Sequence, residues 1–424
     1  MDLLLVGSGG REHALLKALL KSRDVNRVYV LPGNAAMEGS RVKRVPIQPK
    51  QITEIADFAA FHQVDFAVVA PDDPLALGAV NELESVGVPA FGPDQAAARI
   101  ESSKIFAKEL MRKYGIPTAD FHVFDRLQDA LKYVKTCPLP TVIKADGLAL
   151  GKGVTVAATR EEALQAVRET MEKHRFGAAG DRILVEECLT GPEVSVLCFT
   201  DGKTVKPMVS SMDHKRALDG DKGQNTGGMG VIAPNPFYTE AIAQTCMDTI
   251  FLPTVRAMEK EGCPFRGCLY FGLMLTSDGL KVIEYNSRFG DPETQAVLPL
   301  LESPLLPILM ACRNGTLDQC EVSFARKSSC CVVQASKGYP GAYETGFEIR
   351  LPKDTGDLHY DAAGVKKDPE SQKLVTSGGR VASVTAVAPT LAEAVSAAYA
   401  HVDDIVFENA YHRSDIGLRA LKGE

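Results

Sequence analysis

The sequence predicts an α/β protein of more than one domain, and three observations support this prediction. Its 424 residues are too many for a single hydrophobic core, so we expect two to four domains. Hydrophobic residues make up 45% of the chain and charged residues 24%, as in ordinary globular proteins. In the first hundred residues, strand-like runs alternate with helical periodicity, which is typical of a doubly wound parallel sheet.

Composition excludes several classes of protein. The net charge of −7 argues against a nucleic-acid partner. The longest apolar runs, such as residues 65–70 and 304–312, are shorter than the roughly 18 residues that a membrane span needs. Met1 leads directly into a strand-like run rather than a signal or transit peptide, so we expect a cytoplasmic protein. The ten cysteines contain no C-x-x-C pair, which favours buried reduced thiols over zinc or disulfides.

The N-terminal elements are predicted from alternating apolar patterns. Strands are expected at residues 3–6, 27–31, 66–70 and 89–91, with helices at 12–21, 51–62 and 75–85. Ligands of such a sheet bind beyond the carboxyl ends of its strands.

The remaining elements mix helices and strands. Helices are predicted at residues 102–114 (with Ser102 or Ser103 as the cap), 161–174, 239–261 and 392–401, and strands at 142–145, 154–157, 183–187, 268–276, 281–285 and 381–387. A polar, glycine-rich loop is expected at residues 213–230. Because no repeat or Pro/Ser-rich linker appears, we expect tight interfaces between domains.

The most informative motif follows an apolar run near residue 282. In a strand, Glu284, Asn286 and Arg288 point to the same side. Two oxygen ligands beside a permanent cation suit a polyphosphate bound to Mg²⁺. The alternative is an edge strand with a solvated polar face, but the longer pattern through residue 294 favours the functional interpretation.

A glycine-rich turn at residues 7–13 follows the first strand and opens a helix. It is a poor dinucleotide site, because Glu12 replaces the third glycine and the second strand ends at Asn34 without an acidic residue. A helix start after glycines is instead a good seat for one phosphate, and Arg11 could pair with it. A phosphorylated-sugar site is favoured over NAD or a tight turn alone.

A second glycine loop follows the strand that carries Lys144. Gly147, Gly151, Lys152 and Gly153 could let backbone N–H groups approach phosphates and fold over them as a lid. No helix follows, so this is not a Walker loop, and a plain glycine hairpin is the alternative.

Carboxylates then end the strand near residue 187. Glu186, Glu187 and Glu193 suit an adenine amino group and ribose hydroxyls, and the backbone near Leu189 could read the adenine edge. The alternative is a charged strand end. The loop at residues 213–230 is too long and polar for a simple connection, so it is either disordered or faces a substrate.

Taken together, these segments resemble the ATP-grasp superfamily and, within it, the glycinamide ribonucleotide synthetase family. The most specific matches are residues 9–14, 144–149, 213–216, 225–230 and 288–294, in a resemblance that runs to about residue 421. It implies an N-terminal Rossmann-like domain (1–102), an ATP-grasp core of two α+β lobes (103–323, with 115–190 as the mobile nucleotide lobe) and a small C-terminal mixed β/α domain (324–424).

The resemblance also implies a reaction. Members of this family use ATP to join glycine to 5-phosphoribosylamine, which gives glycinamide ribonucleotide, ADP and phosphate through glycyl phosphate, in purine biosynthesis. The implied cofactors are ATP and one or two Mg²⁺ or Mn²⁺ ions. The only partners expected are small-molecule substrates, and the protein is expected to be a monomer. Two alternatives stay open: the same chemistry with another acceptor, or an inactive nucleotide-binding protein.

Site residues are implied by matching motifs. For ATP they are Lys104, Lys144, Gly147, Gly151, Lys152, Gly153, Glu186, Glu187, Leu189 and Glu193; for the other substrates, Gly9, Gly10, Arg11, Glu12, Asn34, Asp72, Asp213, His214, Gly228 and Arg380; for the metal, Glu284 and Asn286; and for catalysis, Arg288, Lys144 and Lys215. Two departures stand out. The strand before Glu284 carries no acidic metal ligand, and Asp72 replaces the usual glutamate of its turn.

Overall fold

The N-terminal domain is a five-stranded, fully parallel sheet. The computed structural model describes residues 1–149 and 153–423. The strands are β1 (Asp2–Gly7), β2 (Arg27–Pro32), β3 (Val42–Arg44), β4 (Phe66–Val69) and β5 (Ala90–Phe91), in the order β3-β2-β1-β4-β5. The helices are α1 (Gly10–Leu20), α2 (Ile52–Phe61), α3 (Asp72–Ala76), α4 (Ala79–Ser85) and α5 (Gln95–Ser102).

Two details of this domain differ from the predicted elements. The edge strand β3 is missing from the prediction, because its three residues are partly or fully exposed and give no apolar signal. The helix predicted at residues 75–85 is two helices, because Gly78 adopts a φ of +87° between them. Strand β1 is buried on both sides, as expected for a parallel sheet that is covered by helices.

The segment of residues 104–187 is built on a four-stranded antiparallel sheet. It contains α6 (Lys104–Tyr114), β6 (Phe121–Phe124), α7 (Leu127–Val134), β7 (Thr141–Ala145), β8 (Val154–Ala157), α8 (Arg160–Val167) and β9 (Ile183–Glu187), with strand order β6-β9-β7-β8. The Ser103 hydroxyl caps α6 by accepting from the Phe106 N–H, as predicted for one of the two serines. A π-helical turn at Arg168–Glu172 extends α8 over most of the predicted helix.

The second lobe is built on long antiparallel strands. Its elements are β10 (Glu193–Asp201), β11 (Val205–Pro207), β12 (Met212–Asp213), β13 (Arg216–Leu218), β14 (Lys222–Asn225), β15 (Gly230–Ala233), α9 (Glu240–Cys246), α10 (Leu252–Lys260), β16 (Arg266–Thr276), β17 (Gly279–Asn286), α11 (Glu293–Val297) and α12 (Leu305–Asn314). The main sheet has the order β11-β10-β16-β17. The segment predicted as a loop contains a hairpin, β13–β14.

The C-terminal segment completes a sheet that begins in the second lobe. It contains β18 (Ser328–Ser336), β19 (Ile349–Arg350), β20 (Leu358–Ala362), β21 (Val365–Lys367), β22 (Leu374–Thr376), β23 (Arg380–Ala388), α13 (Leu391–His401), β24 (Val406–Phe407), β25 (Ala410–Tyr411) and α14 (Leu418–Lys422). The sheet has the order β12-β15-β18-β23-β20, with β25 beside β18. The base of the predicted substrate loop is therefore held in the C-terminal sheet.

One of several hydrophobic clusters extends across the domains. The largest cluster contains Leu5 of the N-terminal sheet, Leu197 of β10 and Cys331 of β18, which agrees with the expected tight interfaces. Eight of the ten cysteines are buried. No helix within residues 1–149 or 153–423 combines the length and apolar character that a membrane crossing requires.

Candidate active site

The predicted metal ligands lie at the end of β17, as alternation requires. Arg288 follows the strand, and its Nη2 donates to Asn286 Oδ1 at 3.2 Å. Gly272 of β16 lies opposite Glu284, and a Cβ at Gly272 would stand 3.0 Å from Glu284 Cγ. A side chain opposite Glu284 would therefore crowd it, which explains in steric terms why β16 offers no acidic ligand at this position.

Three lysines lie near the Glu284 carboxylate. Lys215 Nζ lies 3.4 Å from Glu284 Oε1 and 3.5 Å from Glu193 Oε2. Lys215 lowers the pKa of Glu284, and Lys144 and Lys104 shift it in the same direction. Burial opposes this shift but is outweighed. Burial disfavours the charged form of Lys215, but Glu193 and Glu284 outweigh it and raise the pKa of its ammonium well above the usual value. Lys215 contacts this carboxylate, and Lys144 and Lys104 are near enough to favour its ionised form.

The lysines also join the two lobes. Lys144 Nζ donates to the Ile283 carbonyl of β17 at 3.2 Å and lies 2.9 Å from Glu186 Oε2. Lys104 Nζ donates to the Gly147 carbonyl at 2.8 Å, and burial lowers its pKa although Glu284 opposes this. Lys104 and Lys144 therefore lie beside the same site in the structure.

Glu186 is held by a second lysine that the sequence did not single out. Lys108 Nζ lies 3.2 Å from Glu186 Oε2, and burial lowers the pKa of Lys108 to about 8. The other oxygen, Glu186 Oε1, is buried and has no hydrogen-bond donor among the described residues. Such an atom is costly to leave unsatisfied, so it is a strong acceptor for a ligand donor.

The neighbouring carboxylates have different surroundings. Glu187 faces the other side of β9, where its Oε2 lies 3.2 Å from Lys281 Nζ. Its side chain therefore does not reach the lysine cluster, because adjacent strand residues alternate sides, and its predicted contact with a nucleobase is left to the backbone. Leu189 lies in the connection from β9 to β10, and Glu193 begins β10 beside Lys215.

Arg288 is fixed by a buried glutamate from the N-terminal domain. Glu101, at the end of α5, places Oε1 3.1 Å from Arg288 Nη2. Its Oε2 accepts from the Ser287 N–H at 2.7 Å and the Ser287 hydroxyl at 2.8 Å. Burial raises the pKa of Glu101, while Arg288 opposes the shift. Sequence analysis missed Glu101, because no local motif marks a helix residue whose partners lie 186 positions away.

The N-terminal glycine turn holds a carboxylate of its own. Glu12 Oε2 accepts from the Gly9 N–H at 2.6 Å, and a Cβ at Gly7 would stand 2.5 Å from Glu12 Cγ. Arg11 is buried, with Nε 2.5 Å from Glu12 Oε1 and Nη1 donating to the Phe289 carbonyl at 3.0 Å. The phosphate predicted at this turn thus finds the Gly9 amide already occupied, and Arg11 is not a solvated residue.

Asp72 and Gly10 lie close to this turn. Although burial opposes ionisation of Asp72, the nearby Arg288 and Arg11 lower its pKa. Gly10 packs against Gln295, whose Nε2 would stand 2.5 Å from an added Cβ. The turn at Glu12, Asp72 and Arg288 therefore form one continuous charged surface.

Two predicted substrate ligands, Asn34 and His214, make structural hydrogen bonds. Asn34 is buried, and its Nδ2 donates to the carbonyls of Ser8 at 2.8 Å and Ala362 at 2.9 Å. His214 Nε2 accepts from the Gly417 N–H at 3.2 Å, and its Nδ1 lies 3.2 Å from the Gly230 carbonyl. Burial lowers the pKa of His214 to about 4, so it is neutral at pH 7. Each side chain satisfies buried backbone groups, and its contact with a substrate stays a prediction.

Asp213 lies at the start of the loop, and Arg380 contacts the loop backbone near its end. Asp213 Oδ1 is buried without a partner among the described residues, and burial together with Glu293 raises its pKa well above the usual value. Arg380 Nη1 donates at 2.8 Å to both the Gly227 and Asp291 carbonyls. Arg380 thus joins the loop to residues 288–294, and an added Cβ at the neighbouring Gly228 would stand 2.8 Å from Asp213 Oδ1.

Only part of the predicted lid can be placed. Gly151 and Lys152 lie outside the described residues. Gly147 adopts a φ of +149°, and its added Cβ would stand 2.7 Å from Ala179 Cβ. The Gly153 carbonyl accepts from the Ala145 N–H at 2.9 Å, which closes the base of the loop.

The site fits a hard divalent cation only in combination with a ligand. Glu284 and Asn286 offer two oxygen donors on one side of a strand, but no group of three His, Cys, Asp or Glu side chains suited to a metal ion occurs in the described part of the chain. Mg²⁺ and Mn²⁺ accept such oxygen donors and commonly complete their coordination with substrate phosphates and water.

Sequence models of three domains cover most of the chain. The phosphoribosylglycinamide synthetase N domain matches residues 1–101, the ATP-grasp (A) domain matches 102–294 and the C domain matches 329–419. The chain belongs to the phosphoribosylglycinamide synthetase family.

Relatives of this family match over the full length. Phosphoribosylamine–glycine ligases of Caldanaerobacter subterraneus and Streptococcus pneumoniae R6 are 45% and 44% identical; the matches cover 98% and 100% of this chain and 99% and 100% of theirs. The human trifunctional purine biosynthetic protein adenosine-3 is 45% identical over 99% of this chain but only 42% of its own.

Solved structures confirm the predicted fold class. The phosphoribosylamine–glycine ligase of Thermotoga maritima superposes with a TM-score of 0.85 at 32% identity, covering 98% of this chain and all of that one. The biotin carboxylase domain of the Hydrogenobacter thermophilus 2-oxoglutarate carboxylase gives a TM-score of 0.74 at 15% identity, covering 97% and 91%. The second match shows the shared fold alone.

Proposed function

We propose that this phosphoribosylglycinamide synthetase family member is an ATP-dependent ligase that joins glycine to 5-phosphoribosylamine in purine biosynthesis. The products are glycinamide ribonucleotide, ADP and phosphate. The full-length relatives that carry the name phosphoribosylamine–glycine ligase support this proposal. The structural observation that carries it is the contact of Lys215 with Glu284, with Lys144 bound to the neighbouring Ile283 carbonyl and Lys104 to the Gly147 carbonyl.

The first step needs strong charge neutralisation. A glycine carboxylate oxygen attacks the γ-phosphorus, the bond to the β–γ bridging oxygen breaks, and ADP leaves with that electron pair. The three lysines are placed to neutralise the triphosphate, and Arg288 to stabilise the transferring phosphoryl group. Because its guanidinium is held by Glu101, it needs little reorganisation during the reaction.

A divalent cation would be held by Glu284 and Asn286. When bound, Mg²⁺ or Mn²⁺ would add positive charge at the phosphate oxygens. The lysines already lower the pKa of Glu284, so its carboxylate is ionised and ready to ligate metal at pH 7.

The nucleobase site is proposed at β9. The buried, unpartnered Glu186 Oε1 is suited to accept from an adenine amino group, and Glu193 at the start of β10 is suited to ribose hydroxyls. In this arrangement the base lies against the nucleotide lobe and the triphosphate extends toward Lys215.

The acceptor is proposed to bind between the N-terminal turn and Arg288. The amine attacks the acyl carbon of glycyl phosphate, the C–O bond to phosphate breaks, and the nitrogen loses a proton. Asp72 and Glu12 are carboxylates suited to sugar hydroxyls at this position, and Arg380 is a candidate for the sugar phosphate. Asp213 is suited to the ammonium group of glycine.

The remaining properties follow the same chemistry. The net charge of −7 supports small-molecule substrates rather than nucleic acid, and the eight buried thiols support a reducing compartment such as the cytoplasm. We also propose a monomer, which light scattering after size-exclusion chromatography would test.

The proposed function is tested by measuring ADP release from the purified protein. We expect release that requires glycine together with freshly prepared phosphoribosylamine and Mg²⁺. Equal ADP release with bicarbonate or formate in place of glycine would instead indicate the same ATP chemistry with another substrate.

A further inference from the structure

Arg413 is the largest fully buried side chain among the described residues. It donates from Nε to Asp415 Oδ1 at 2.7 Å and from Nη2 to Asp415 Oδ2 at 2.8 Å. Its Nη1 donates to Asp221 Oδ1 at 2.9 Å and to the Arg216 carbonyl at 3.0 Å. A buried guanidinium is retained only when its charge and N–H groups are matched, so this cluster fixes the relative position of the segments it joins.

We infer that Arg413, in the C-terminal domain, is a positioning residue for Lys215 in the active site. This inference rests on the proposed function. It follows from what Arg413 binds: the hairpin β13–β14, which begins one residue after Lys215.

The same C-terminal segment forms further hydrogen bonds with this hairpin. Asp415 Oδ2 accepts from the Gly220 N–H at 2.8 Å, and Asp219 Oδ1 accepts from the Ser414 N–H at 2.9 Å. The Tyr411 hydroxyl donates to the Ala217 carbonyl at 2.9 Å. The hairpin tip, which would otherwise be an exposed polar loop, is therefore attached at several points around Arg413.

His214 and Lys215 lie in the connection between β12 and β13, and their side chains have different partners. His214 faces the C-terminal domain and binds the Gly417 amide, whereas Lys215 faces Glu284 and Glu193. The Arg216 carbonyl that Arg413 binds belongs to the residue directly after Lys215. Arg413 and His214 thus hold the backbone on both sides of Lys215, and the Lys215 ammonium lies 3.4 Å from Glu284 as a result.

The inference is tested with Arg413→Lys and Arg413→Met. Lysine keeps the charge but cannot form the forked pair with Asp415, and methionine removes both. Because misplacement by about 1 Å can cost 100-fold, we expect kcat to fall roughly 10-fold for the lysine variant and 100-fold for the methionine variant. The Kd for ATP should rise by a smaller factor than kcat falls, because Lys104, Lys144 and Glu186, which are also proposed to bind ATP, lie on other elements.

Hydrogen exchange supplies a readout that does not depend on activity. Amides of residues 213–228 should exchange faster in both variants, while those of β7 and β9 stay unchanged. Lys373→Met is the matched control, because it removes the exposed ion pair with Glu348 in the same domain. It should change neither kcat nor exchange in residues 213–228.

A double variant keeps the test valid if Arg413→Met does not fold. Tyr411→Phe with Ser414→Ala removes only the bond from the Tyr411 hydroxyl to the Ala217 carbonyl and the bond from the Ser414 hydroxyl to Asp219 Oδ2, and it should raise exchange and lower kcat. Faster exchange with unchanged kcat, or unchanged exchange in all variants, would overturn the inference. A wild-type protein without glycine-dependent ADP release would refute the proposed function instead.

Discussion

Glu101→Gln removes one charge from the pair that holds Arg288. Glutamine is the same size, but its single carbonyl cannot serve both Ser287, which donates twice to Oε2, and Arg288, which lies 3.1 Å from Oε1. Whichever way the amide turns, its NH₂ group meets another donor. Breaking a buried ion pair typically costs about 3–5 kcal/mol, and because Asp72 also lies near Arg288 we expect about 3 kcal/mol here.

The same change should reduce turnover more than nucleotide binding. Arg288 would lose its fixed orientation toward the transferring phosphoryl group, which we expect to lower kcat about 100-fold. The Kd for ATP should change less, because the lysines proposed to bind ATP are held by other partners: Lys104 by the Gly147 carbonyl, Lys144 by Glu186 and Lys215 by Glu284.

Urea unfolding and steady-state ADP release measure the two effects. Glu109→Gln is the matched control, since Glu109 is an exposed glutamate on the neighbouring helix α6, and it should behave as wild type. If Glu101→Gln retained turnover within about threefold of wild type, Arg288 would not depend on Glu101 and this reasoning would be refuted.

Three further predictions address the same site. Arg288→Ala should abolish glycine-dependent ADP release while ATP still binds in calorimetry; near-normal turnover would remove Arg288 from the mechanism. Glu284→Ala should weaken Mn²⁺ binding in the presence of ADP by at least about tenfold, measured by electron paramagnetic resonance, and unchanged Mn²⁺ affinity would contradict its ligand role. The third prediction concerns how stability depends on pH. The pKa of His214 is about 4 in the folded protein and 6.5 in the unfolded protein, so the folded state binds fewer protons between these pH values. The contribution of neutral His214 to the free energy of unfolding is fully present above pH 6.5. It declines by up to about 3 kcal/mol as the pH falls to 4. His214→Gln should therefore lose less stability than wild type between pH 7 and 4.5, and parallel curves would exclude this effect.

The positions of site residues that could be predicted from the sequence follow simple local rules. Glu284 and Asn286 share one side of β17 because strand residues alternate, and Lys144 ends a strand beside the glycine loop. The fold class followed in the same way from apolar periodicity, which directly reflects which side of each element is buried.

What the sequence could not reveal concerns polar side chains. Their hydrogen-bond or ion-pair partners are either far along the chain or are backbone groups. Glu101 and Lys108 lie on helices, and only tertiary structure brings them to Arg288 and Glu186. Asn34 and His214 looked like ligands, but each satisfies buried backbone groups, a need that a single sequence does not reveal.

The central claim is that ATP activates a carboxylate through an acyl phosphate held between the lysines and Arg288. It is tested most directly with glycine labelled with ¹⁸O in its carboxylate. If the carboxylate attacks the γ-phosphorus, one labelled oxygen passes to each phosphate that is released, which mass spectrometry of the phosphate would detect. Phosphate released without ¹⁸O, while glycinamide ribonucleotide is formed, would contradict the account.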